Sequence, residues 1–206
     1  MAAPRLHIDG PQGAPTLVLA HGAVAGMHTP FMDFFAEGLA ERGLRVARFE
    51  FPYMARARAS GKREPPDSEA VLRETWMSAI QSLGPDGLFI GGKSMGGRIA
   101  SLLADQAGVR GLVCLGYPFH PMGKPAQLRT AHLETLTCPA LIVQGTRDIM
   151  GARDEVAGYR LSRTIEILWL EDGDHDLKPR KAVSGFTAAQ HLKTMATRAA
   201  AWAKEL

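Results

Sequence analysis

The amino-acid sequence predicts an α/β architecture, an open and mostly parallel sheet with helices on both faces. Three observations predict it. Short apolar or β-branched runs alternate with helix-patterned stretches along the whole chain. Most of those runs are apolar throughout, as strands covered on both faces should be. The 206 residues, 46% hydrophobic and 22% charged, suit one domain spanning 1–206. A domain of this size buries about 70% of the surface its unfolded chain exposes, so it needs no disulfide or metal staple.

The elements follow in order. A weak strand is expected at 5–8 and a firm one at 16–20, Thr-Leu-Val-Leu-Ala. A helix over 31–42 leads to a strand at 45–51. The segment 52–66, bounded by Pro52 and Pro65-Pro66, is expected to be irregular. Asp67-Ser68 then offers a cap for a helix over 68–83. A strand at 88–91 precedes a helix over 96–107, where Ile99, Leu102 and Leu103 fall at helical spacing. A strand at 111–115 is followed by an irregular stretch, 116–139, carrying Pro118, Pro121, Gly123 and Pro125. That stretch can drape over a site but is too short to be a lid domain. A strand at 140–144, a helix over 153–161, a strand at 164–170 and a helix over 184–204 complete the alternation. In such a sheet ligands sit beyond the carboxyl ends of the strands, so the loops after each strand are where chemistry is sought.

Charge excludes little but suggests no polyanion partner. The net charge is +3, from 24 basic and 21 acidic residues with no long block of one sign. The densest basic run, Arg56 to Arg63 beside two prolines, reads as a solvated loop rather than a nucleic-acid face. No 18-residue apolar stretch is present, so no membrane span is expected. The run 16–20 does not imitate a signal peptide, because Asp9, Pro11 and Pro15 precede it and His21-Gly22 ends it early. Two cysteines, Cys114 and Cys138, lie in or beside apolar runs and fit a reducing compartment better than a disulfide framework. The expected location is cytoplasmic.

Two motifs overlap at one place and disagree. Residues 87–94 satisfy the phosphate-loop expression G-x-x-x-x-G-K-[ST], and Gly92-Lys93-Ser94-Met95-Gly96 satisfies the nucleophile-elbow expression G-x-S-x-G. A phosphate loop needs its strand to finish before the first glycine. Here the spacer Leu88-Phe89-Ile90-Gly91 is the best strand candidate itself, and no apolar strand ending in Asp between Ser94 and Cys138 is available for magnesium. An elbow explains more: a serine projected from a sharp strand-to-helix turn needs small neighbours, and Gly92, Gly96 and Gly97 supply them. Chance matches to the five-residue expression run at about 0.1 per sequence of this composition, so the strand–turn–helix context carries the weight.

A serine hydroxyl becomes a nucleophile only when a base takes its proton, and the base needs a third group to orient it. The strand at 140–144 runs into Asp148, and the strand at 164–170 runs into His175. Of seven histidines only His175 follows the last strand, so the order Ser94, Asp148, His175 matches a triad carried on successive loops. Any single histidine is more often a satisfied core or surface residue; position and order favour function here. Asp172 and Asp174 are rival acids, and Asp172, Asp174, His175 and Asp176 could be read as metal ligands. No second His or carboxylate cluster at helical spacing supports that reading. The oxyanion of acyl transfer needs two amide donors: one from Met95, the other from the His21-Gly22-Ala23 turn, at Ala23 with Gly22 beside it. The chemistry calls for no cofactor and no metal, and its partner is a small acyl substrate.

These residues resemble the α/β-hydrolase superfamily along nearly the whole chain. More narrowly, HGA, RFEFPYM, GGKSMGGR, VQGTRD and DGDHDLKPRK resemble one branch of it. That branch contains small bacterial hydrolases grouped with testis-expressed protein 30 and the non-specific-lethal complex subunit 3, near the dienelactone hydrolases. The resemblance implies an α/β-hydrolase fold without a lid domain, Ser94 as nucleophile, Asp148 as acid, His175 as base, and the amides of Met95 and Ala23 as oxyanion hole. Dienelactone hydrolases carry Cys where this chain has Ser94, so lactone opening is not implied. One relative is a scaffold subunit, which keeps a binding or scaffold protein with an unused triad as the alternative to a serine hydrolase of esters or thioesters. Without a lid, the site suits small or water-soluble substrates. Arg98 is expected buried near the sheet, in an ion pair or tied to backbone carbonyls. Lys178, Arg180 and Lys181 read as solvated surface, with an anionic substrate as the alternative.

Overall fold

The computed structural model describes residues 3–206. Seven strands form one sheet: β1 (His7–Asp9), β2 (Thr16–Ala20), β3 (Arg45–Phe49), β4 (Phe89–Lys93), β5 (Gly111–Leu115), β6 (Ala140–Gly145) and β7 (Ile165–Leu170). Their spatial order is β1-β3-β2-β4-β5-β6-β7. Only β1 runs antiparallel, along the edge at β3; every other pair is parallel. The helices are α1 (Pro30–Ala40), α2 (Pro52–Ser60), α3 (Glu69–Leu83), α4 (Met95–Ser101), α5 (Ala104–Ala107), α6 (Arg153–Val156), α7 (Lys181–Ser184) and α8 (Ala188–Glu205). This is the α/β-hydrolase architecture the sequence predicts.

The apolar strands behave as two-faced elements. Every residue of β4, β5 and β6 is buried. Alternate residues serve opposite cores, as the period of two requires. Val18, Ala20, Ile90, Cys114 and Ile142 face one cluster, packed with Trp76 of α3 and Ile99 of α4. Leu17, Leu19, Phe89, Val113 and Val143 face the other, with Phe35 of α1 and Met195 of α8. Helices α1 and α8 also pack on each other. Caps fix where these helices begin: the Thr29 hydroxyl accepts from Met32 N at α1, and Thr187 and Gln190 form a reciprocal capping box at α8.

Several expected boundaries are corrected. The segment 52–66 is not irregular throughout, because Pro52 at the first helical position and left-handed Gly61 after the last frame α2. The basic run therefore lies largely on a helix, where Arg56 pairs with Glu64 and Asp67 and Arg58 with Glu50. The helix expected over 96–107 breaks in two. The Ser101 hydroxyl donates to Arg98 O, and Leu102 N turns to Ile99 O instead. The helix expected over 153–161 stops at Val156, and Gly158 and Tyr159 continue only as i−3 turns. Left-handed Gly185 and the Thr187 cap split the helix expected over 184–204. β1 falls at His7–Asp9 rather than 5–8, where the Asp9 carboxylate accepts from Arg48. β3 ends two residues before the expected 51, and β4 continues two residues past the expected 91, to Lys93.

Candidate active site

β4 occupies the residues that a phosphate loop would need as loop, so the elbow reading describes this turn. Ser94 follows directly, with φ 50 and ψ −113, a backbone state that a side chain rarely adopts. The two flanking glycines are required. A Cβ at Gly92 would stand 2.2 Å from Ala20 O, and one at Gly96 would stand 2.5 Å from the same oxygen. The turn is thus pressed against the end of β2, which puts the next loop, Gly22-Ala23, beside the serine. A Cβ at Gly22 would come within 3.8 Å of Ser94 Cβ.

The three residues read from the sequence meet. Ser94 Oγ lies 2.8 Å from His175 Nε2, and His175 Nδ1 lies 2.8 Å from Asp148 Oδ2. Asp148 is fully buried and richly bonded: its Oδ1 accepts from Met150 N at 2.9 Å and its Oδ2 from Gln144 Nε2 at 2.9 Å. A carboxylate only accepts, so it assigns the proton to His175 Nδ1 and leaves the Nε2 lone pair facing Ser94. Gln144 also accepts from Tyr117 N and donates to Gly151 O, which ties β6 to both flanking loops.

The loop carrying His175 is knotted by charge. Asp172, at φ 55, accepts from the backbone N–H and guanidinium of Arg180, and Arg147 lies 3.3 Å away. Hydrogen bonding from Arg180 pulls the Asp172 carboxyl down to about 2. Asp174 accepts from Asp176 N and Lys178 N. Both rival acids are thereby committed elsewhere, and Asp148 holds the imidazole. Among the described residues no cluster of three or more His, Cys, Asp or Glu has metal-site geometry.

Lys93, which the phosphate-loop expression offered to a nucleotide, instead donates from Nζ to His175 O at 2.7 Å, with Asp176 at 3.5 Å. Burial pushes its ammonium below the ordinary lysine value, Asp176 opposing. It clamps the elbow to the histidine loop. Sequence reasoning missed this role, and those of Gln144 and Tyr53, because each acts through a backbone carbonyl or amide that only the fold brings near.

Tyr53 is fully buried, and its one hydroxyl proton is shared between Gly22 O at 3.1 Å and Ala23 O at 3.0 Å. His21, also fully buried, accepts from Phe51 N at Nε2, so its Nδ1–H donates to Gly22 O at 2.7 Å. Across a trans peptide the C=O and the next N–H point oppositely. Turning Gly22 O toward Tyr53 and His21 therefore turns Ala23 N–H away from them. Met95 opens α4, so its N–H has no intrahelical acceptor. Gly22, Ala23, Ser94 and His175 all border one cavity of about 700 Å³.

Arg98 is less buried than the sequence suggests, whereas the cations after His175 lie at the surface as expected. Arg98 makes the expected ion pair, bridging α4 to α3 through Glu69 at 2.8 Å, but is partly exposed rather than buried. Arg180 faces Asp172, and Lys178 lies 3.8 Å from Asp176, with both basic side chains largely in solvent. Among the described residues no helix is long and apolar enough to cross a membrane.

Solved structures share this arrangement of strands and helices. An α/β serine hydrolase homologue from Coxiella burnetii superposes with a TM-score of 0.70 at 18% identity, covering 93% of this chain and 88% of that one. Dienelactone hydrolase from Anabaena variabilis gives 0.70 at 21% identity, covering 96% and 89%. A serine hydrolase from Xanthomonas campestris described as having no lid gives 0.64 at 18% identity, covering 93% and 84%. At these identities the likeness is one of fold. The sequence itself goes further, since residues 13–204 match the model of the alpha/beta hydrolase domain. With strand order, elbow and family match in agreement, the chain belongs to the α/β-hydrolase family.

Proposed function

We propose that this protein is a serine hydrolase that cleaves an ester or thioester of a small-molecule substrate through an acyl-enzyme on Ser94, acting as a single α/β-hydrolase domain over 1–206. The observation that carries this reading is the continuous chain of 2.8 Å contacts from Ser94 Oγ to His175 to buried Asp148, opening on a cavity. His175 Nε2 takes the hydroxyl proton as Oγ bonds the substrate carbonyl carbon. The tetrahedral oxyanion accepts from Met95 N–H and Ala23 N–H. As the intermediate collapses, the carbon–leaving-group bond breaks and imidazolium returns the proton to the leaving oxygen or sulfur. Water then repeats the sequence, with His175 as base, and releases the acid and Ser94. Asp148 stabilises the imidazolium at both stages.

Structural relatives named as a serine hydrolase homologue and a dienelactone hydrolase support the same class of chemistry. The motif set supports placement beside testis-expressed protein 30 and the non-specific-lethal complex subunit 3. Two free, buried thiols support a reducing, cytoplasmic setting.

Labelling with a fluorophosphonate probe tests the proposal, wild type beside Ser94→Ala. Labelling of wild type alone, with hydrolysis of p-nitrophenyl esters, is the expected result. A folded wild type that neither labels nor turns over esters would overturn it in favour of a binding or scaffold role.

A further inference from the structure

The cavity at Ser94 is mostly apolar, and its walls come from two helices that pack together on one face of the sheet. Phe31 and Phe34 line it from the first turns of α1, and Ala188, Leu192 and Met195 from one stripe of α8, at spacings of four and three residues. Met122 and Met150 reach in from the loops after β5 and β6. With Met32 and Met195, four of the nine methionines converge on this one space. Unbranched thioethers adapt to ligands of varied outline. At the serine end Asp176 lies between Lys93 and Lys178, 3.5 Å from the first and 3.8 Å from the second. Val24, Phe34 and Met122 are large apolar residues left exposed along this same lining. A water-soluble substrate leaves those surfaces wet; an apolar one covers them.

We infer that the space between α1 and α8 binds the apolar half of the ester, a linear alkyl or an aryl group, while the carbonyl sits at Ser94. This rests on Ser94 being the nucleophile and replaces the expectation of a small or water-soluble substrate. The volume, about 700 Å³, is in the range of sites that enclose a drug-sized ligand. Either half of the ester can carry the chain, because the space touches both Ala23 on the oxyanion side and His175 on the leaving-group side.

Two kinetic series separate these halves: p-nitrophenyl acetate through octanoate, and ethyl through octyl acetate. Burying a methylene contributes about 0.8 kcal/mol, which is about fourfold in kcat/KM. The expected result is a rise of about that size per methylene in one series, and that series identifies the half of the substrate that enters. Ala188 is exposed at the start of α8, so Ala188→Trp places bulk in the cavity without disturbing the core. It is expected to lower the ratio of longest to shortest member in the rising series at least tenfold. A readout independent of turnover uses calorimetry on Ser94→Ala with butyrate, hexanoate and octanoate, and with the matching 1-alkanols. Affinity rising with chain length, and losing that dependence in Ser94→Ala/Ala188→Trp, is the expected outcome. Fluorophosphonate labelling combined with flat kinetic series and chain-independent binding would overturn the cavity assignment and leave the hydrolase reading intact. Chain-dependent binding without labelling or turnover would do the reverse.

Discussion

Two serines seven residues apart each lie 2.8 Å from a histidine Nε2: Ser94 from His175 and Ser101 from His132. The distances are equal and the chemistry is opposite. At Ser101 the hydroxyl proton is already given to Arg98 O at 2.7 Å, so His132 Nε2 must be the donor and Ser101 the acceptor. At Ser94 a buried carboxylate holds the proton on His175 Nδ1, so Nε2 must accept. Ser101 lies inside a helix at 3% exposure, whereas Ser94 stands on a strained turn at a cavity wall. A Ser–His distance therefore does not separate the two pairs; the direction of the hydrogen bond does, and the group behind the imidazole sets that direction.

The largest effect separates the two serines. Ser94→Ala is expected to lower kcat by about 10⁴-fold or more, leaving the fold intact. Ser101→Ala is expected to leave kcat within about twofold and to cost about 1–3 kcal/mol of stability, because it strands a half-buried imidazole N–H. Paired kinetics and urea unfolding check both, and equal kinetic losses would erase the distinction. A subtler change converts one site toward the other. In Asp148→Asn the amide can donate to His175 Nδ1, which forces the proton onto Nε2 and reverses the bond to Ser94. A loss of about 10⁴-fold in kcat with retained structure is expected; a loss below tenfold would mean that Asp148 does not set the tautomer.

Tyr53 sharpens the contrast from the acceptor side. Buried Tyr117 stands beside the Ser101 pair and donates to one loop carbonyl, Arg129 O, at 3.0 Å, whereas Gly22 and Ala23 carbonyls are both held by one buried hydroxyl. Burial keeps that phenol protonated by raising it above its usual value. Tyr53→Phe deletes one shared hydrogen bond, about 1 kcal/mol, and leaves His21 on Gly22 O. A fall in kcat of about three- to tenfold with KM nearly unchanged is the expected signature of an oxyanion loop that has loosened. A change in KM alone would assign Tyr53 to substrate binding instead.

How much of this was legible in the sequence depends on where each signal lives. β2, β5 and the Ser94–Asp148–His175 order were readable because apolar runs and loop order are local facts along the chain. Helix α2 was obscured by its own start signal: Pro52 and the following basic residues read as a breaker and a solvated loop, although Gly61 closes the frame. The split of α4 from α5 turns on one hydroxyl choosing Arg98 O, a choice that helical spacing does not encode. The clamps Tyr53, Lys93 and Gln144 bond to residues 30, 82 and 27 positions away, and such pairs are created by sheet order alone. The cavity escaped for the same reason, since its lining is drawn from both ends of the chain.

The smallest effect concerns the second pair. Burial, with Arg98 nearby, pushes His132 down to about 4 from an ordinary 6.5. The unfolded chain then binds a proton between those values that the folded chain refuses, so stability falls as pH drops from about 6.5 toward 4. His21, likewise depressed by burial, adds to the same limb. The Asp172 carboxyl, held down to about 2 from an ordinary 3.8, begins to lose its contribution below about pH 5 and loses most of it under about pH 4, equally in both proteins. His132→Gln retains an amide donor for Ser101 and removes one titration. Unfolding free energies from urea titrations at neutral pH and near pH 4.5 should therefore lie closer together in the variant, by on the order of 1 kcal/mol after solvent screening of a half-exposed site. An unchanged slope would mean that His132 takes its proton in the folded state as readily as in water, and that the imidazole donates to Ser101 as an imidazolium rather than as the neutral ring.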